Sequence, residues 1–108
     1  MLPKKNRANK SEVEYVFKEG KFINSPLFSF KFILDSHSKS RQISVVAPKS
    51  VSKLAVSRNN LRRLGYKALK KHLTLFPVGI MGVLMFKKTT KDISTIENEI
   101  KHILSKIN

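Results

Sequence analysis

VGIMGVLMF, residues 78–86, is almost wholly apolar and is bounded by Pro77 and Lys87. A run this short cannot span a bilayer, and its length and framing predict a strand covered on both faces, lying inside a sheet. Its neighbours must therefore supply the other strands and the helices that cover them. Just upstream, residues 52–73 switch to a helical pattern. Leu54, Leu61, Leu64, Ala68 and His72 gather on one side, Asn59, Arg63, Lys67 and Lys70 on the other, and Arg58 and Arg62 lie on the flank between. Gly65 in the middle costs about 1 kcal/mol relative to Ala, which predicts a close approach of this helix to the sheet.

Further upstream, KFINSPLFSFKFIL (21–34) reads as a short strand, a break at Ser25-Pro26, and a longer strand in which Phe28, Phe30 and Phe32 alternate with Ser29 and Lys31. The alternation assigns the three phenylalanines to the core. After the polar turn DSHSKSR, QISVVA (42–47) is a third strand, expected to pair with the second as an antiparallel hairpin. At the front, SEVEYVFKEG (11–20) sets Ser11 as the N-cap of a helix over about 12–19, with Glu14 completing a capping box and Gly20 as the stop. At the end, DISTIENEIKHILSKIN (92–108) sets Ser94 and Glu97 as a second capping box before Ile96, Ile100, Ile103, Leu104 and Ile107 at helical spacing. The order helix, three strands, helix, strand, helix predicts an α+β sandwich, its helices packed on a mostly antiparallel four-stranded sheet.

The charge points to the partner. The chain has 108 residues, the size of one domain spanning 1–108, and Lys+Arg 22 against Asp+Glu 7 gives +15. Such an excess repels itself in the compact state unless a polyanion neutralises it, and nucleic acid is the natural one. All seven acids lie within Glu12–Asp35 or Asp92–Glu99, so Ser36–Lys91 carries none. That stretch is the expected electrostatic footprint. The absence of Cys removes disulfides and thiolate metal sites. Met1–Lys10 is charged and does not resemble a signal peptide, so a soluble, cytoplasmic protein without membrane attachment is expected.

Catalytic chemistry is thin. His37, His72 and His102 have neither metal-ligand spacing nor neighbouring carboxylates, Gly79 and Gly82 match no phosphate loop, and no Ser sits in a nucleophile elbow. The residues describe a binder whose reacting groups come from a partner.

The basic helix carries a resemblance. KLAVSRNNLRRL (53–64) resembles the signature helix of the protein subunit of bacterial ribonuclease P, in which K-x-A-V-x-R-N-x-x-K/R-R recurs, at Lys53, Ala55, Val56, Arg58, Asn59, Arg62 and Arg63. SPLFSFKF is similar to the family's S-P-L-F strand, and EYVFKEGK to the end of its first helix. The departures are Tyr66 where the family usually has Arg, Asn60 in place of the third residue of R-N-R, Leu54 as an insertion, and Lys31 at a usually aromatic position.

The resemblance implies a two-layer αβββαβα sandwich with a left-handed crossover around the basic helix. It implies a ribonucleoprotein endonuclease that removes the 5′ leader of precursor tRNA, with hydrolysis by a catalytic RNA subunit and its Mg²⁺ and with no protein partner. By position, Lys49, Lys53, Arg58, Asn59, Arg62, Arg63, Tyr66 and Lys67 are then expected at ribonuclease P RNA, with Tyr66 able to stack on a base. Val13, Phe17, Ser29 and Lys31 are expected in a cleft for the precursor's leader. For Phe17, core packing is the competing expectation. Three readings compete with the family: a structural ribosomal-RNA-binding protein of similar fold, a DNA-binding module using 57–72 as recognition helix, and a self-sufficient nuclease. The DNA reading lacks a helix-turn-helix partner, and the nuclease lacks an acidic metal site.

Overall fold

A computed structural model describes residues 6–107. The order is α1 (Lys10–Glu19), β1 (Lys21–Asn24), β2 (Phe28–Leu34), β3 (Gln42–Val46), α2 (Ala55–His72), a 3₁₀ turn (Leu73–Leu75), β4 (Ile80–Phe86) and α3 (Ile93–Ile107). One sheet of strand order β1-β2-β4-β3 holds the molecule together. The apolar strand β4 lies inside it, antiparallel to β2 and parallel to β3.

The third strand is where expectation and structure part. β3 pairs with β4, not with β2, so residues 35–41 do not close a hairpin. The backbone of Gly79 is wedged there instead. The Asp35 N–H donates to the Gly79 carbonyl at 2.9 Å, and the Gly79 N–H donates to the Ser40 carbonyl at 2.8 Å. Gly79 has φ 89°, and a Cβ would stand 2.2 Å from the Asp35 carbonyl oxygen, so only glycine can lead β4 between its neighbours.

Register assigns each face. Phe28, Phe30 and Phe32 share a side with Leu84, Phe86, Ile43 and Val45, and all are buried. The α2–α3 pair is layered on this face and contributes Leu61, Ala68, Leu69, Ile96, Ile100 and Ile103 to one core. The rings pack against one another, with Phe28 and Phe86 centroids 4.6 Å apart. Gly65 provides the expected close approach, since a Cβ there would lie 2.8 Å from Val45 Cγ1 and 3.2 Å from the Phe86 ring. The opposite face carries Ser29, Lys31, Val83 and Met85. Helix α1 packs on β2 and β4 there, over buried Val16 and Val83.

Helix starts differ from the expected caps. Asn9, not Ser11, caps α1: its side chain accepts from the Glu12 N–H at 2.9 Å, while Glu12 Oε1 accepts from the Asn9 N–H at 2.8 Å. The N-x-x-E spacing forms the same reciprocal box two residues earlier, and Asn is at least as good a cap as Ser. For α3, Asp92 takes the place expected of Ser94, its carboxylate accepting from the Ser94 N–H and the Thr95 hydroxyl at 3.0 Å each. A carboxylate at the positive end of a helix is favoured over a neutral hydroxyl. The basic helix begins at Ala55 after a Leu54 cap without a side-chain bond. Leu54, expected on the buried stripe, is 66% exposed because it precedes the first helical turn.

Candidate nucleic-acid interface

Helix α2 sorts its basic residues into held and unheld groups. Its apolar side, Leu61, Ala68 and Leu69, is fixed by the core, which turns Asn59, Arg63, Lys67 and Lys70 to solvent. On the flank, Arg58 Nη1 donates to the carbonyls of both Ser52 and Lys53 at 3.0 Å. Arg62 Nη2 donates to Asn59 Oδ1. The flank arginines are thus oriented by neutral acceptors, and their charge is left uncompensated. Lys49, Lys53, Arg63 and Lys67 are exposed and form no ion pair with any described residue. No side chain caps the first turn of α2, so its N–H groups add the positive end of the helix dipole to the same region.

The acids do not offset this face. The only ion pair that a Lys or Arg of α2 makes among the described residues joins Lys71 to Glu97 of α3, at 3.8 Å, near the far end of α2, where His72 Nε2 also lies 3.3 Å from Glu97 Oε1. His72 therefore ties two helices together, while His37 and His102 are exposed. No group of three or more His, Asp or Glu able to hold a metal ion occurs among the described residues.

Tyr66 does not join the basic surface. It is 8% exposed, and its hydroxyl accepts the N–H of Val45 at 3.1 Å. Since β3 is an edge strand, this hydroxyl satisfies a backbone donor that has no strand beside it. The turn of α2 that faces Gly65 to the sheet brings Tyr66 with it, leaving no open ring face for a base.

The second expected site gathers on the other side of the sheet. Phe17 is 38% exposed, so it is not core. Lys31 Nζ lies 5.2 Å from its ring centroid and donates to its backbone carbonyl at 3.4 Å. Val13 and Ser29 are both half-buried, on α1 and β2 respectively. Sequence reasoning missed Phe22, which is 54% exposed and stands opposite Lys31 in the register of β1 and β2. Its place beside Lys31 follows from strand pairing, which the alternation of β1 alone does not specify.

The model of one protein family, ribonuclease P, matches residues 2–108. The chain belongs to the ribonuclease P protein family. That family serves tRNA 5′ maturation as the protein component of the ribonuclease P endoribonuclease holoenzyme, and membership implies a ribonuclease P RNA as partner. Among its relatives, the ribonuclease P protein component of a Nitratiruptor species is 33% identical over 91% of this chain and 87% of its own length. That of a Pseudanabaena species is 28% identical over 98% and 94%. The ribonuclease P protein of Staphylococcus aureus superposes with a TM-score of 0.78 at 15% identity, over 95% of this chain and 94% of that one. The Thermotoga maritima ribonuclease P protein gives 0.72 at 22% identity, over 88% and 90%. At these identities the two structures speak for the shared fold.

Proposed function

We propose that residues 1–108 act as one RNA-binding domain with two surfaces. Arg58, Asn59, Arg62 and Arg63, joined by Lys49, Lys53 and Lys67, dock the RNA subunit, and Val13, Phe17, Ser29 and Lys31 hold the 5′ leader of precursor tRNA. The observation that carries this reading is the pair Arg58 and Arg62 on α2, oriented by backbone and amide acceptors with no carboxylate to neutralise them. Planar guanidinium groups held in place lose little freedom on meeting phosphates. An aromatic with a cation beside it, on an open face, suits a single strand read without regard to sequence. Tyr66 is not part of the surface.

In this reading hydrolysis and its Mg²⁺ belong to the RNA, and the protein binds and positions. No further protein partner is needed. The work is cytoplasmic, in line with the absence among the described residues of any helix long and apolar enough to cross a membrane. The test is reconstitution with the RNA subunit from the same genome. The complex is expected to cleave precursor tRNA at the 5′ site at low Mg²⁺ where neither part alone does so. Correct 5′ cleavage by RNA-free protein would overturn the division of labour.

A further inference from the structure

Between α2 and the loop from β4 to α3 lies a groove of about 460 Å³, within the range of ligand-binding clefts. Ser57, Asn60 and Arg63 line one wall at helical spacing, Thr89, Thr90 and Lys91 line the other, and Leu64 adds an apolar patch. None of these residues is acidic, although α3 and its acids follow directly. Those acids are engaged elsewhere: Asp92 caps α3, Glu97 pairs with His72 and Lys71, and Glu99 accepts the Leu27 N–H at 2.8 Å. The Thr90 hydroxyl accepts the Asp92 N–H at 3.2 Å and so shapes the loop. The side chains of Ser57, Asn60, Arg63, Thr89 and Lys91 make no hydrogen bond or ion pair to any described residue. A concave site is thus left with two cations, an amide and two hydroxyls around apolar surface.

We propose that this groove holds one nucleotide of the RNA subunit, its phosphate between Arg63 and Lys91, its sugar or base against Leu64, and its hydroxyls met by Ser57, Asn60 and Thr89. The proposal rests on the reading of α2 as the RNA-subunit surface and extends it to Thr89–Lys91, which carry no part of the signature helix. Charge complementarity selects a polyanion, and continuity with Arg63 selects the RNA subunit over the leader. The leader site is on the other face of the sheet, since Lys31 alternates with the buried Phe30 and Phe32 that face α2 and α3.

The test is binding of the full chain to the RNA subunit across a salt series. Lys91→Ala with Thr89→Val removes only exposed, unpartnered groups, so folding should be kept, which the melting temperature checks. This pair should weaken binding about tenfold and make the slope of log affinity on log salt shallower by about one. Lys91→Arg should restore both. Because the chain has no cysteine, Thr89→Cys can carry a single tethered iron chelate, which should cut the RNA subunit's backbone at one locus. Wild-type affinity and slope in the double variant, or no tethered cutting, would overturn the proposal. So would a loss seen only with leader-bearing precursor tRNA. Failure of the wild-type chain to bind the RNA subunit at all would instead take the proposed function down, which separates the two results.

Discussion

Lys31 Nζ stands 5.2 Å from the centroid of the Phe17 ring and also donates to the carbonyl of Phe17 itself, so one cation ties β2 to the last turn of α1. Two half-exposed groups that sequence spacing separates by one helix end and one strand therefore act as a unit. An exposed cation–π contact contributes about 0.5–1 kcal/mol, enough to keep the ring in one orientation. In the holoenzyme, Phe17→Ala should weaken precursor tRNA with a long leader by about 1–3 kcal/mol, the range for loss of a stacked base. Lys31→Ala should do less and flatten the salt dependence. Mature tRNA should be indifferent to both. Equal weakening of precursor and mature tRNA would place the leader elsewhere.

Arg58 and Arg62 should fail differently, although both sit on the flank of α2. Arg58 holds two backbone carbonyls before the helix, so Arg58→Ala should lower both RNA affinity and thermal stability, the latter by about 1 kcal/mol. Arg62 binds only the Asn59 amide, and Arg62→Ala should cost about 1–3 kcal/mol of RNA binding with the melting temperature nearly unchanged. Excess protein should restore cleavage in both variants. Equal melting temperatures for the two would mean that the Arg58 bonds do not brace the helix start.

Removing the Tyr66 hydroxyl leaves the Val45 N–H buried without its acceptor. Tyr66→Phe should therefore lose about 1–3 kcal/mol in urea unfolding while RNA affinity stays at the wild-type value. Reduced affinity at unchanged stability would return Tyr66 to the RNA surface.

Gly65→Ala sets helix propensity against packing. The substitution favours the helix by about 1 kcal/mol, but the new methyl would meet Val45 Cγ1 at 2.8 Å and the Phe86 ring at 3.2 Å. Overpacking of a tight core costs about 1–3 kcal/mol, so net destabilisation is expected, read as a lower melting temperature. A stabilised variant would show that α2 can lift from the sheet without loss.

The apolar run of β4, the Phe alternation of β2 and the amphipathic α2 and α3 were legible because each is a periodic pattern with one solution. Strand neighbours were not. The alternation in residues 42–47 says which side chains go inside but not which strand lies alongside, and the wedge at Gly79 is set by backbone bonds to Asp35 and Ser40. Caps were off by two residues because Asn9 and Asp92, cap residues as good as serine, stand two positions ahead of the serines and accept the N–H groups of Glu12 and Ser94. At the site, the exposed cations of α2 were readable from helical spacing. Tyr66 was not, because its direction depends on how α2 rolls around the glycine next to it. The groove at Thr89–Lys91 was not either, since a cleft between residues about thirty positions apart leaves no local pattern.

The insertion of β4 between β2 and β3 also governs when this protein can fold. Until residue 86 has left the ribosome, β2 has only β1 beside it and β3 has no strand partner, because the strand that joins them is the last to be made. The nascent chain up to that point is strongly basic and presents unpaired strand edges. Pairings this distant in sequence form late and slowly, and such edges invite association with other chains. A chain stalled before Ile80 should consequently remain sensitive to protease throughout, whereas one released after α3 should acquire protection in a single step.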